Sequence, residues 1–171
     1  QKNEYMFMRG HRIGSRSMYK FWKFYEGEQT KAEYEQVFGT PFPTQLITNI
    51  QPGDCVYVDL DKDGQIDDND KTRDNGFTDD PEYMAGLNIG FNWKRFTFNA
   101  QLTGAWNVTR YITDVFSQPF YCASNTTQGG LLSYHVDNTW TEGINEDANA
   151  LYPRATWNNA QQNYAASDLW E

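Results

Sequence analysis

The sequence predicts an all-β chain, part of an antiparallel transmembrane β-barrel with long extracellular loops and one short helix. Three observations predict it. Residues 83–106 alternate apolar and polar side chains along two arms of equal length. The connections on either side of those arms are far longer than those of an ordinary compact domain. Aliphatic residues are scarce while aromatic ones abound: of 171 residues, Leu, Ile, Val and Phe make up just under a fifth, yet the chain holds Phe 11, Trp 6 and Tyr 11. Few aliphatics with a net charge of −9 would ordinarily mark disorder, which the aromatic content excludes. No apolar run approaches the ~18 residues of a membrane helix. With Gln1 in place of an initiator Met and no signal-peptide pattern, the sequence reads as a piece of a longer chain.

The first candidate strand covers residues 13–25. It is dense in aromatics ("MYKFWKFY") but carries Lys on both faces, as a strand crossing an interface would. In "TKAEYEQVFG", Thr30 and Glu33 have capping-box spacing and Gly39 is a natural stop, predicting one helix over 31–38. "TPFPTQ" then breaks regularity.

The two arms supply the central prediction. Tyr83, Ala85, Leu87, Ile89, Phe91 and Trp93 share one strand face, with Met84, Gly86, Asn88, Gly90 and Asn92 opposite. After Lys94 and Arg95 the pattern resumes, with Phe96, Phe98, Ala100, Leu102, Gly104 and Trp106 on one face. A two-residue turn at Lys94-Arg95 would pair Trp93 with Phe96, Phe91 with Phe98, Ile89 with Ala100 and Leu87 with Leu102, placing both apolar faces on one side. Arms of about eleven residues at ~3.3 Å each, tilted by ~45°, span on the order of 25 Å, the apolar height of an outer-membrane barrel. Asn, Gln and Thr on the other face suit a wet lumen. Trp93, Phe96, Tyr83 and Trp106 sit at the arm ends, where interfacial aromatic girdles belong. Short turns of such barrels face the periplasm, which would make residues 26–82 and 107–171 extracellular loops.

The first of these loops holds "DLDKDGQIDDND", residues 59–70, with the spelling of a calcium loop. Counting Asp59 as position 1 puts Asp61 at 3, Asp63 at 5, Gly64 at 6, the Gln65 carbonyl at 7, Asp67 at 9 and Asp70 at 12. Carboxylates at these spacings converge on a hard cation, and without one they would bring like charges together at a cost. Ile66 at position 8 is placed to anchor the loop. Asp in place of Glu at position 12 shortens the bidentate reach and predicts a weaker, structural calcium site.

Other features exclude more than they assign. Eleven acidic residues between Asp54 and Glu82 face only Lys62, Lys71 and Arg73, while in the first 23 positions six basic residues face only Glu4. No sustained basic face exists to neutralise phosphates, so nucleic acid is not the expected partner. Cys55 and Cys122 lack CxxC spacing and read as thiols. His11 and His135 have no nucleophile at a recognisable spacing, so no enzyme is expected. The sequons at Asn107 and Asn125 read as accidental. Trp140, Tyr152, Trp157, Tyr164 and Trp170 make an aromatic-rich region, better suited to packing between loops or against a partner than to stacking on sugars.

Four stretches together resemble a known family. "GHRIGSRSMYKFW" looks like its G-x-P-I-G-x-F-Y-G segment, and "PGDCVYVDLDKDGQIDDNDKT" its P-G-D-I-x-Y-x-D-L-N-G-D-G-x-I-D-x-x-D-R-T. "YMAGLNIGFNWKRFTFNAQLTGA" and "ALYPRATWNNAQQNYAASDLW" follow in the same order. These resemble the C-terminal part of SusC/RagA-type TonB-linked outer-membrane transporters. Arg12 stands where that family usually has Pro, Arg16 and Lys20 interrupt its aromatic strand, and Trp93-Lys94-Arg95 replaces Tyr-Lys-Gly. The resemblance implies a large barrel in the outer membrane of a Gram-negative bacterium, in contact with outer-membrane lipid. It also implies an N-terminal plug, energised by the TonB system, outside this sequence. A SusD-like surface lipoprotein would be the partner, and oligosaccharides or peptides the substrate. The alternative is a soluble, calcium-stabilised carbohydrate-binding or adhesion β module; a dockerin would need a second calcium repeat and helices, which are lacking.

Overall fold

A computed structural model describes residues 3–113, 116–117, 119–120, 130–146, 149–156 and 164–170. Cys122, Asn125 and Trp157 lie outside them. Regular structure is mainly strand, with two short α-helices, and among the described residues the strands form pairs and close no barrel.

The strand predicted over 13–25 is corrected. Residues 13–17 are turn and coil, and the rest splits into β1 (Met18–Tyr19) and β2 (Phe21–Phe24) with different partners. Strand β1 pairs antiparallel with β4 (Lys71–Thr72), and β2 with β3 (Cys55–Tyr57). An irregularity between Phe21 and Lys23 turns Trp22 out of the ladder. There its ring meets Tyr34 and Phe38 edge-on, at 5.3 and 5.6 Å, while Phe24 stays fully buried. A bulge re-aims a side chain in this way without ending the strand. Lys23, awkward on a buried strand, places its ammonium between Glu26 and Glu33.

Helix α1 (Glu28–Phe38) begins a turn earlier than its capping signal suggested. Gly27 at φ 122° opens it, and the Thr30 hydroxyl accepts the Glu26 N–H at 2.9 Å, folding the entry segment back instead of capping. Glu33 is engaged by Lys23, so no capping box forms. Gly39 ends the helix as expected, left-handed at φ 69° with its N–H on the Glu35 carbonyl. A second helix, α2 (Ser133–Asn138), carried no sequence signal; it is under two turns long and buries His135.

The two long loops pack into one body around a shared core. Tyr19, Phe24, Tyr57, Ile66 and Trp140 form one buried cluster. Tyr25, Tyr34 and Val56 form a second, and Tyr152, Tyr164 and Trp170 a third. The core is aromatic, which is where the scarce aliphatics are replaced; large rings bury much area per residue. The C-terminal segment docks on the first strands: the Phe21 N–H donates to the Asp168 carboxylate at 2.6 Å and the Tyr19 N–H to the Ala166 carbonyl. Burial pushes the Asp168 carboxyl above its usual range, against the pull of that N–H.

The turn Pro52-Gly53-Asp54 joins the body's halves. Asp54 is completely buried, accepts the Gln51 N–H and faces the Arg154 guanidinium, with Nε 3.1 Å from one carboxylate oxygen and Nη2 3.3 Å from the other. Burial raises the Asp54 carboxyl, and the Gln51 N–H and Arg154 oppose the rise. The Arg154 N–H also donates to the Gly53 carbonyl. Two motifs a hundred residues apart, "PGD" and "YPR", thus form one joint.

Strands β5 (Tyr83–Trp93) and β6 (Phe96–Trp106) project from this body as a hairpin with the register read from the sequence: Trp93 opposite Phe96, Phe91 opposite Phe98, Ile89 opposite Ala100 and Leu87 opposite Leu102. Phe91 and Phe98 stack at 5.2 Å. The Lys94-Arg95 turn closes with Lys94 at φ 54°, a conformation that Gly or Asn adopts more cheaply. At the hairpin base, Asn107 donates to Glu82 at 2.7 Å, and Arg12 pairs with Glu82 at the same distance. Arg16 pairs with Asp79. The basic first segment is thereby clasped to the acidic loop, a use of the uneven charge that the sequence did not reveal.

Candidate metal centre

The acidic loop is suspended from the core at several points. The Ile66 side chain is buried in the first aromatic cluster, as its position-8 spacing anticipates. On either side of it, the Gly64 carbonyl accepts the Thr44 N–H and the Ile66 N–H donates to the Thr44 carbonyl. The Asp59 N–H donates to the buried Tyr34 hydroxyl, so α1 fixes the first ligand position. Gly64 bends the chain at φ 89°, and Lys62 is left-handed at φ 64°.

This frame brings Asp59, Asp61 and Asp63 together, each with a carboxylate oxygen within 4.8 Å of the others. Asp59 is buried and Asp63 exposed, so the cluster has a closed floor and an open mouth. Its oxygens are ordered by backbone amides. Asp59 accepts from Lys62 and Gly64 at 2.6 and 2.9 Å, Asp61 from Asp63 at 3.2 Å, and Asp63 from Gln65 at 2.8 Å. Partial burial raises the Asp61 carboxyl, the Asp63 N–H lowers it, and the charges of Asp63, Asp59 and Asp67 raise it further. Three carboxylates with free lone pairs around a small space could hold a hard cation.

Asp67 and Asp70 do other work. Asp67 caps a single 3-10 turn, Asp68–Asp70, by accepting the Asn69 N–H at 2.7 Å. Asp70 is fully buried and accepts N–H groups from Leu60, Asp61 and Asp67, closing the loop's end onto its beginning. Burial raises its carboxyl, against those three donors. Gln65 lies at the bridge to Thr44 and donates its N–H to Asp63. Positions 1, 3 and 5 therefore converge, whereas the side chains at 9 and 12 brace the backbone. The signal for this was present: Asp67-x-x-Asp70 also has capping-box spacing.

The other residues singled out by sequence take structural places. His135 is buried, its ring 4.8 Å from that of Tyr152. Cys55 is buried beside Tyr57, and burial pushes its thiol far above the ordinary range. Trp140, Tyr152, Tyr164 and Trp170 are all buried and pack the body. Sequence reading missed Arg110 and Tyr111, which line two adjoining surface cavities. Among the described residues, no helix is long and apolar enough to cross a membrane. A scan against protein-family models and searches of the curated proteins and the solved structures found no match to this chain.

Proposed function

We propose that this chain is the hairpin and extracellular-loop part of an outer-membrane nutrient importer of the SusC/RagA type, taking up oligosaccharides or peptides with a SusD-like lipoprotein and TonB energy. One observation carries this reading. The 22 residues of β5 and β6 include no Asp, Glu, Lys or Arg, yet almost all are exposed, among them Leu87, Ile89, Phe91, Trp93, Phe96 and Leu102. A lone two-stranded hairpin is marginal in water, and a long uncharged edge invites pairing. Lipid on the apolar face, a wet lumen on the Asn/Gln/Thr face and neighbouring strands at both edges would satisfy every group. The family resemblance supplies the name of the class; the hairpin supplies its physical support. Outer-membrane fractionation of the native organism tests it. The expected result is that these residues are extracted by detergent as part of a much longer chain; recovery as a full-length soluble 171-residue protein would overturn the importer in favour of a soluble β module.

Within this reading the Asp59–Asp61–Asp63 cluster binds calcium as a structural clamp that orders the acidic loop. Sensor calcium loops act by moving paired helices, and this loop is flanked by short strands. With Asp70 turned inward, the affinity belongs with extracellular modules, at a Kd of about 10⁻⁴–10⁻³ M. Calorimetry on the native chain should show calcium binding that Asp61→Asn and Asp63→Asn each weaken about tenfold or more, with Asp67→Asn changing it less. Binding should also weaken as the pH falls through the raised Asp61 range, because the protonated carboxyl no longer ligates. No calcium binding at millimolar concentration would remove this assignment.

A further inference from the structure

Strands β5 and β6 carry no charged residue, and the two residues that join them, Lys94 and Arg95, are both basic and exposed. The hairpin's whole charge thus stands at its tip. The base is different: there Arg12 meets Glu82 and Arg16 meets Asp79, each at 2.7 Å, so that end is neutralised from within. Back along β5, the first acidic residue is Glu82, beyond all eleven residues of the strand. At ~3.3 Å per residue that is on the order of 35 Å, several times the Debye length of ~8 Å at physiological ionic strength. A chain of net charge −9 therefore presents a locally cationic tip.

Two further features single out this tip. Lys94 is held at φ 54°, in the left-handed region that Gly or Asn adopts more cheaply. Residues kept there against their preference cluster at sites of function, which makes the outlier a pointer. The Lys94 ammonium lies over the Trp93 ring, 5.1 Å from its centroid. Trp93 and Phe96 oppose each other across the last rung of the ladder and are 66% and 73% exposed on the apolar face. Aromatic rings at a membrane boundary sit at headgroup level, and long basic side chains beside them extend toward the polar layer. An ammonium and a guanidinium above two such rings offer a point charge and a planar fork to a phosphodiester.

We infer that the Lys94-Arg95 tip docks on anionic phospholipid headgroups, of the phosphatidylglycerol kind, in the periplasmic leaflet of the outer membrane. The inference rests on the importer reading, which sets the hairpin across the bilayer with its short turn on the periplasmic side, and adds which lipid that turn selects. Lipopolysaccharide phosphates lie on the opposite side, level with the hairpin base, where Arg12 and Arg16 are already paired. A zwitterionic headgroup fits less well, because its own ammonium competes for its phosphate. Each basic residue near an anionic surface gains roughly fivefold in binding, so the pair gains up to about thirtyfold.

To test it, the full-length chain is reconstituted in nanodiscs holding equal amounts of photoreactive phosphatidylglycerol and phosphatidylcholine. Cross-links to the peptide bearing residues 93–96 are then counted by mass spectrometry. The expected excess of anionic over zwitterionic label is about ten- to thirtyfold, falling to about fivefold in Lys94→Gln and to near one in the Lys94→Gln/Arg95→Gln double variant. Lys94→Arg should keep it, and salt at about 1 M should erode it in the parent chain, a check that needs no substitution. Both side chains are exposed and lie outside the strands, so the variants should assemble, as heat-modifiable mobility would show. On intact cells Lys94 should resist a membrane-impermeant amine reagent and react once the envelope is opened. Its labelling on intact cells would assign the tip to lipopolysaccharide and overturn the proposal. Even labelling by the two lipids, or a double variant that keeps the preference, would overturn it too. A chain embedded in the outer membrane without the anionic preference refutes the tip alone. A soluble chain that binds phosphatidylglycerol vesicles over phosphatidylcholine ones, and loses this in the double variant, refutes the importer while keeping the headgroup selection.

Discussion

On the importer proposed above, Ile89→Arg is expected to lower the folded outer-membrane pool by about tenfold or more, while Asn88→Arg, its neighbour on the opposite face, leaves that pool nearly unchanged. Both positions lie at the middle of β5, Ile89 opposite Ala100 and Asn88 opposite Gln101. A charge on the lipid face at the bilayer midplane costs ~2–4 kcal/mol, whereas a lumen position tolerates it. Each 1.4 kcal/mol is a factor of ten. Quantitative blotting of heat-modifiable protein in outer-membrane fractions measures the difference. In a water-soluble module both side chains would be solvated, since Ile89 is already 46% exposed. Both variants would then fall within about 0.5 kcal/mol of the parent. Equal behaviour of the two substitutions would therefore sink the lipid-facing assignment.

Gly53→Ala is expected to be among the most damaging single-methyl changes in the body, destabilising it by about 3 kcal/mol or more. Gly53 sits at φ 87°, where an L side chain is strained by ~1–2 kcal/mol. A Cβ there would lie 2.1 Å from Cε3 of Trp140, which is 3% exposed and held in the first aromatic cluster. Overpacking of a filled core adds ~1–3 kcal/mol. The indole cannot retreat without opening that cluster. Denaturant unfolding of the body, followed by tryptophan fluorescence, would measure the loss. Gly53→Ala combined with Trp140→Leu should lose less than the two single changes added together, because the collision is removed. Additive losses would show that the strain is elsewhere. Gly39→Ala provides a contrast: it shares a positive φ, of 69°, but a Cβ there meets nothing within 4 Å. It should cost only the backbone strain.

The difference between these two glycines marks a limit of sequence reading. Gly39 was legible as a helix stop because its role is local: it follows an apolar-periodic segment and takes the left-handed state. Gly53 is also followed by a recognisable motif, but its need for a bare Cα comes from Trp140, far along the chain. The hairpin register was legible because period-two alternation and a two-residue turn fix it without outside help. The strand over 13–25 was misread for the opposite reason. Its aromatics were visible, but Arg12, Arg16 and Lys23 were directed by acidic residues elsewhere in the fold, and Trp22 by a helix. Thr30 and Glu33 had the right spacing for a cap, yet each found a partner upstream of the helix.

The acidic loop divides in the same way. Its spelling gave the positions of Asp59, Asp61 and Asp63 and the buried anchor at Ile66, all of which depend on the loop's own bends at Lys62 and Gly64. It could not say that Asp70 would turn inward, because that depends on whether the loop's first amides are left without partners by the surrounding body.

By itself, then, the sequence determined the elements whose geometry is periodic or local: two eleven-residue arms in a defined register, a helix ending at Gly39, and three converging carboxylates. Only the tertiary structure decided that the two long loops share an aromatic core and that Asp54 meets Arg154. Those facts are contacts between residues far apart in the chain. Their energies depend on burial and on which partner is nearest, and neither quantity is written in local spacing.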